Sequence, residues 1–401
     1  MIQSLDDLTG DPWACLPDYP FFLANTHMKY SRLLLSLLIL SLAGILSACT
    51  GGAIPNEWYN LTVDGDTAYL AANQHVYAVD LKTGREIWRY PTETTKATFY
   101  AAPLRTKDGQ LIVSGYDNVI YSLDPKTGQE NKGSWPFTQA VRAYIAPPLE
   151  FGDRLFAPNN YGDLFALDLS GKPVWAAPFK SAHGLWATPV PSNDGKLLYV
   201  AAMDHYLYAI QPETGQVAWK TEDLGGTMVG KPALSPDGST LYVGTFNSEM
   251  LAIDTAGGKV RNRFATRGWV WSGPALAKGV LYFGDLKGTF YALKASDLSE
   301  AWSTLPEDDK SKIAGTPLLV GDGPDRIYYN LQGSKSGMVY ALKGDGSPLW
   351  SKPVEIKGTL NNSPWLAGDL LLVSPLNNEA ILFALDAATG AEKWSFTPEK
   401  K

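Results

Sequence analysis

Residues 76–84 read Val76-Tyr77-Ala78-Val79-Asp80-Leu81-Lys82-Thr83-Gly84, and residues 120–128 read Ile120-Tyr121-Ser122-Leu123-Asp124-Pro125-Lys126-Thr127-Gly128. The phrase returns, shortened, at residues 164–168, 207–210, 250–254, 290–293, 339–342 and 382–386. Its aromatic slot falls at 77, 121, 165, 208, 251 (a leucine), 291, 340 and 383, a period near 44 residues. Self-similarity at such a period marks a repeat architecture in which each unit buries its faces against its neighbours. Eight copies occupy residues 56–401 and leave no room for a second domain between them.

Each copy holds four short strand signals. In the second, residues 102–105 lead through Lys107-Asp108-Gly109 to residues 111–114. Residues 119–123 follow, then a turn through Thr127-Gly128 and a last strand around Trp135. Asp-Gly and Thr-Gly between alternating apolar runs are hairpin signals. Four antiparallel strands in about 44 residues make a propeller blade. The prediction is an all-β, eight-bladed propeller of four-stranded antiparallel blades. No segment beyond residue 48 keeps a 3.6-residue apolar period, which excludes a helical solenoid. The composition agrees: 12% aromatic residues suit strands, and 38 glycines with 27 prolines suit many turns.

The recurring residues have structural tasks. A tryptophan follows the turn in seven copies, at Trp88, Trp135, Trp175, Trp219, Trp302, Trp350 and Trp394. The fifth copy has Asn262 there, with Phe264 two residues on. Burying an indole contributes roughly 2–3 kcal/mol and can join one blade to the next, so these seven are expected to be structural. The alanine after the aromatic slot is expected in a tight gap between blades.

The pattern Tyr-Ala-Leu-Asp-x-x-Thr-Gly-x-x-x-Trp resembles the PQQ-like repeat family with its tryptophan-docking motif, over the whole chain from residue 56. That family includes quinoprotein alcohol dehydrogenases, the propeller lipoprotein of the outer-membrane β-barrel assembly machinery, and extracytoplasmic binding proteins. The resemblance implies, for the dehydrogenases, a vicinal Cys-Cys disulfide against the quinone, a calcium ion held by Glu and Asn, and an Asp base. The cysteines here are Cys15 and Cys49, so no vicinal pair exists. A non-catalytic binding or scaffold module is therefore expected, with no PQQ, no other cofactor and no metal. The alternatives are a PQQ-binding quinoprotein-type oxidoreductase and a small-ligand-binding propeller.

Other chemistry finds no support. G-x-S-x-G, HExxH and phosphate-loop patterns are absent from the sequence. His75, His183 and His205 fall in different copies, and the Asp-Gly pairs read as turns rather than calcium loops. A net charge of −7 and a pI near 5.2 argue against nucleic acid as the partner.

The first 55 residues read as an address. Met28-Lys29-Tyr30-Ser31-Arg32 is a basic n-region, residues 33–45 are apolar, and Leu46-Ser47-Ala48-Cys49 resembles a lipobox. The expectation is a lipoprotein signal at 28–48, lipid on Cys49, and a tether at 49–55. Residues 1–27 carry four acids and no Lys or Arg; they are expected to be an extension ahead of a start at Met28, or disordered. The implied location is extracytoplasmic, lipid-anchored to a bacterial membrane (the outer one where the host has two). A monomer and a protein partner are expected.

Divergence between copies points to the site. In a four-stranded meander, the second-to-third hairpins and the blade connections share the face opposite the repetitive turns, and these segments vary. Each connection ends near a proline opening the innermost strand. Just before it stand Tyr100, Tyr144, Trp186 and Trp271 in four copies, against Val229, Ala314 and Asn361 in three. Lys96, Arg142, His183, Arg267 and Lys312 lie near them. Aromatics with arginines are the make-up of a binding hot spot. Tyr100, Tyr144, Trp186, Trp271, Arg142 and Arg267 are the candidate partner-binding residues; the alternative is that the rings plug the funnel.

Overall fold

The computed structural model describes residues 60–306, 308–321 and 323–399. The expected extension, signal, tether and Cys49 lie outside these residues. The described chain is all-β, with eight antiparallel sheets in succession and sequence order equal to spatial order in each. Blade 1 is Asn60–Asp64, Thr67–Ala72, His75–Asp80 and Glu86–Tyr90. Blades 3 to 8 open at Leu149–Phe151, Val190–Pro191, Ala233–Leu234, Ala275–Ala277, Leu318–Val320 and Trp365–Ala367.

Blade 2 keeps the predicted four-stranded plan with its outermost strand pared to isolated bridges. It has Leu104–Arg105, Leu111–Ser114 and Ile120–Leu123, and its fourth place holds two isolated bridges, Glu130 to Leu123 and Phe137 to Ile120. Phe137 exchanges both backbone hydrogen bonds with Ile120, at 2.9 and 3.0 Å. Pro136 beside it has no N–H to extend a ladder. The strand expected around Trp135 is therefore reduced to those two bridges.

First strands lie innermost, since those of blades 1 and 2, and of blades 6 and 7, approach one another. Both faces of each sheet are covered by neighbours, so the core is a set of inter-blade layers. One layer joins blades 4 and 5 through Tyr199, Leu207, Leu241 and Leu251; another joins blades 8 and 1 through Leu382, Phe396, Leu70 and Tyr77. The repeated small residues Ala78, Ser122, Ala209 and Ala292 are fully covered in these layers.

Tryptophan and glycine meet at each docked interface. The indole N–H of Trp88 donates to the Pro125 carbonyl of blade 2 at 3.0 Å. Trp175, Trp219, Trp302 and Trp350 repeat the contact to Pro212, Thr255, Gly344 and Ala387. Trp135 buries its ring but its N–H finds no acceptor among the described residues. A Cβ on Gly128 or Gly258 would come 2.6 Å from the indole above it, and both have φ near +72° (71° and 73°), so glycine answers two demands at once. Blade 5, with Asn262 in place of tryptophan, meets a matching change in blade 6. The turn position there is Leu298 at φ 61°, buried among Tyr242, Met250 and Leu293. Tyr242 donates to the Ala295 carbonyl at 2.8 Å, the acceptor equivalent to those the indoles use.

Candidate functional site

The hairpins on the varied face are held by carboxylates. Asp117, Asp204 and Asp285 accept hydrogen bonds from the phenols of Tyr121, Tyr208 and Tyr291 at 2.6, 2.7 and 2.9 Å. Burial, reinforced by these carboxylates, pushes the phenols above the usual tyrosine range, Tyr291 to about 12. Asp285 also accepts from the backbone N–H of Gly268, Lys287 and Thr289. These acids are committed to shaping loops.

The four aromatic candidates split into two pairs. Tyr144 is 0% exposed and Tyr100 only 6%. Tyr144 packs between blades 2 and 3 against Ile112 and Phe137. Tyr144 itself fills the core position that Leu185 and Val270 fill ahead of Trp186 and Trp271: its backbone N–H donates to the Gly115 carbonyl as theirs donate to the carbonyls of Asn159 and Thr245. The four aromatics are therefore not equivalent: Tyr100, Trp186 and Trp271 stand three residues before Pro103, Pro189 and Pro274, whereas Tyr144 stands four before Pro148 and Ile145 is the matching residue. Tyr100 packs edge-on against Tyr116 at 5.2 Å. The Tyr144 hydroxyl has no hydrogen-bond partner among the described residues, and burial raises its phenol far above the ordinary value.

Trp186 and Trp271 remain partly exposed. They belong to blades 4 and 6, yet their rings meet edge-on at 6.2 Å across the blade 5 connection. That connection offers Val229 and Gly230 at the matching positions, too small to separate them. Two further rings complete the cluster. Phe246 stacks on both Trp271 and Trp269, with centroids 5.2 Å apart in each case. The sequence held a signal for Trp269: with Trp271 it stands at i and i+2, one side of an extended segment. Arg267 is exposed two residues earlier. Arg142 is also exposed, 5.5 Å from the ring of exposed Tyr161. Lys96, His183 and Lys312 are exposed as well.

Lys231 adds a cation. It precedes Pro232 and the innermost strand of blade 5, where backbones crowd: a Cβ on Gly273 would lie 2.2 Å from the Lys231 carbonyl oxygen. Its side chain is exposed, while protein around it strips water and pushes its ammonium below the ordinary lysine range. A separate cavity of about 240 Å³ lies on the outer rim between blades 6 and 7, lined by Leu305, Tyr329, Tyr340 and Lys352. None of the mouth rings reaches it. Among the described residues no cluster of three His, Cys, Asp or Glu is arranged to hold a metal ion.

Comparison with known proteins bears on this geometry. The family profile described as outer membrane protein assembly factor BamB, a PQQ-like repeat family, matches residues 48–186, 162–236, 203–360 and 325–400. Outer membrane protein assembly factor BamB of Moranella endobia is 25% identical over 265 residues, covering 60% of this chain and 64% of the relative. The chain thus spans just under two thirds of that relative's length. Polyvinylalcohol dehydrogenase of a Sphingopyxis species is 23% identical over 84% of this chain and 52% of its own. The crystal structure of BamB from Moraxella catarrhalis superposes with a TM-score of 0.63 at 16% identity, covering 79% of this chain and 93% of that one. That likeness bears on the fold alone.

Proposed function

Because this chain belongs to the PQQ-like repeat family described as outer membrane protein assembly factor BamB, we propose that it is a non-catalytic docking scaffold for protein partners in outer-membrane protein assembly. It works outside the cytoplasm as a monomer, held to the membrane by a lipid on Cys49. The observation that carries this reading is the four-ring cluster of Trp186, Trp271, Phe246 and Trp269, partly exposed on the varied face. Large aromatic side chains on a rigid frame lose little entropy on binding and dominate interface energetics. Tyr100 and Tyr144 support the frame, exposed Arg267 flanks the contact two residues before Trp269, and Arg142 stands exposed beside Tyr161.

The test replaces Trp186 and Trp271 by alanine and compares melting with capture of β-barrel assembly proteins from native membranes. Each truncated hot-spot ring typically costs about 2 kcal/mol, roughly 30-fold in affinity. Unchanged melting with lost capture supports the scaffold reading. A large fall in melting temperature makes the rings a plug.

The dehydrogenase relative supplies a second reading, since it matches 84% of this chain. The vicinal cysteine pair that the resemblance ties to quinone chemistry has no counterpart at Cys15 and Cys49. Dye reduction by the protein incubated with PQQ and calcium would favour that reading over the scaffold.

A further inference from the structure

The charges around the ring cluster are unevenly committed. Glu249 and Glu222 face Arg263 at 2.9 and 3.9 Å, and Asp223 faces His205 at 3.3 Å. Asp204 and Asp285 are taken up by hydrogen bonds to phenols and backbone N–H groups. Lys231, Arg267 and Lys287 form no ion pair among the described residues. The sector between blades 4 and 6 is thus left with cationic groups seeking anions, on a chain whose net charge is −7.

Lys231 is the best placed of the three. It stands one residue past Gly230, and a Cβ on Gly230 would lie only 2.4 Å from the Ser272 carbonyl carbon, next to Trp271. An exposed ammonium that forms no ion pair among the described residues, on the connection whose backbone packs against the one carrying Trp271, suits one carboxylate flanked by apolar surface. Charge-assisted hydrogen bonds to a carboxylate are the strong kind, and dehydration at the site strengthens them.

We propose that this mouth receives an acidic segment of a protein partner, with an Asp or Glu carboxylate on Lys231 and an adjacent apolar side chain against Trp186 and Trp271. The proposal rests on the docking reading above and adds the chemistry of the docked segment. A small anion would satisfy Lys231 but leave the rings unused, so a peptide is the occupant the surface favours.

The experiment selects from a displayed library of random dodecapeptides on the full chain. It then measures the selected peptides against wild type, Lys231→Met, Lys231→Arg and the Trp186→Ala/Trp271→Ala double variant, each checked for folding by its melt. Selected peptides should carry Asp or Glu beside Leu, Phe or Trp. Their affinity should fall about tenfold with Lys231→Met and hold within about threefold with Lys231→Arg. Changing the peptide's carboxylate to its amide should cost as much in wild type and nothing more in Lys231→Met. Peptides that lack an acid, or that ignore Lys231→Met while losing affinity in the tryptophan variant, overturn the carboxylate contact and leave the docking reading intact. Displacement by equimolar inorganic phosphate assigns Lys231 to a small anion and likewise overturns the proposal. Binding indifferent to both sets of variants, or no selection above background, removes both readings.

Discussion

The indole N–H of Trp394 donates to the carbonyl oxygen of Leu81 at 2.9 Å, joining residues 313 positions apart. This is the docking contact of the interior blades, made between blade 8 and blade 1. Gly84 lies under the Trp394 ring just as Gly128 lies under Trp88. Blade 8 draws all its strands from Trp365–Ala367 onward, and blade 1 draws its own from Asn60–Asp64 to Glu86–Tyr90. Among the described residues the ring therefore closes by side-chain docking and not by strand exchange. Arg89 reinforces the seam: it is clamped by Glu86 at 2.6 and 2.7 Å and donates to the Glu399 carbonyl at 3.0 Å.

If closure uses ordinary docking, Trp394→Ala and Trp219→Ala should cost alike. Each removes a docked indole and leaves a cavity, about 3–5 kcal/mol. Asn262→Ala should cost far less. Denaturant melts of the three variants check this, and a Trp394→Ala loss near zero would mean that the seam is held by something else.

The Asn262 and Leu298 pair predicts a non-additive result. Asn262→Trp alone should destabilise, because Leu298 occupies the turn position that glycine leaves open elsewhere. Adding Leu298→Gly should recover at least 1–2 kcal/mol, roughly, through relief of the clash and of a positive φ at a branched residue. A double-mutant cycle measures the coupling; simple additivity would show that the two positions are independent.

The turn carboxylates set the acid limit. The Ser192 hydroxyl on Asp194 and the Ser235 hydroxyl on Asp237, with backbone N–H groups, hold both carboxyls at about 2, below the ordinary 3.8. Asp80, Asp124, Asp254 and Asp386 are lowered in the same sense. A carboxyl depressed by folding contributes stability above its ordinary value and loses it as pH falls through the folded one. The melting temperature should hold level down to about pH 5 and fall between about 4 and 2. Asp194→Asn with Asp237→Asn should flatten part of that fall, measured by melts across the range.

Lys231 should be the most reactive exposed lysine at mildly alkaline pH. Loss of water lowers its ammonium's acid range, so more of it is present as the nucleophilic amine. Limited acetylation followed by peptide mass mapping reads the order. Uniform labelling of the exposed lysines would contradict the setting assigned to Lys231.

Blade number and the docking tryptophans were legible in the sequence because every interface repeats the same chemistry at the same offset. Trp135 shows where that stops. Its ring is docked as expected, but Pro136 interrupts the ladder and leaves isolated bridges at Glu130 and Phe137 instead of a continuous strand. The binding face was legible as a face, from its variation, but not ring by ring. Tyr100, Trp186 and Trp271 stand three residues before Pro103, Pro189 and Pro274, but Tyr144 stands four before Pro148 and falls in the core position of Leu185 and Val270, an offset that the aromatic pattern hid. Phe246 comes from a hairpin, so its stacking on two tryptophans from a blade connection needed three-dimensional information.

The central claim is that partners meet this protein on the varied face, at blades 4 to 6. The direct measurement is site-specific photocrosslinking in living cells, with the crosslinking residue placed at Asn247, exposed beside Phe246, or at Asp237, exposed in a turn on the opposite face. The account predicts a discrete envelope-protein adduct from position 247 that disappears with Trp186→Ala/Trp271→Ala, and none from position 237. An adduct from 237 but not 247, or one from 247 indifferent to the tryptophans, would contradict it.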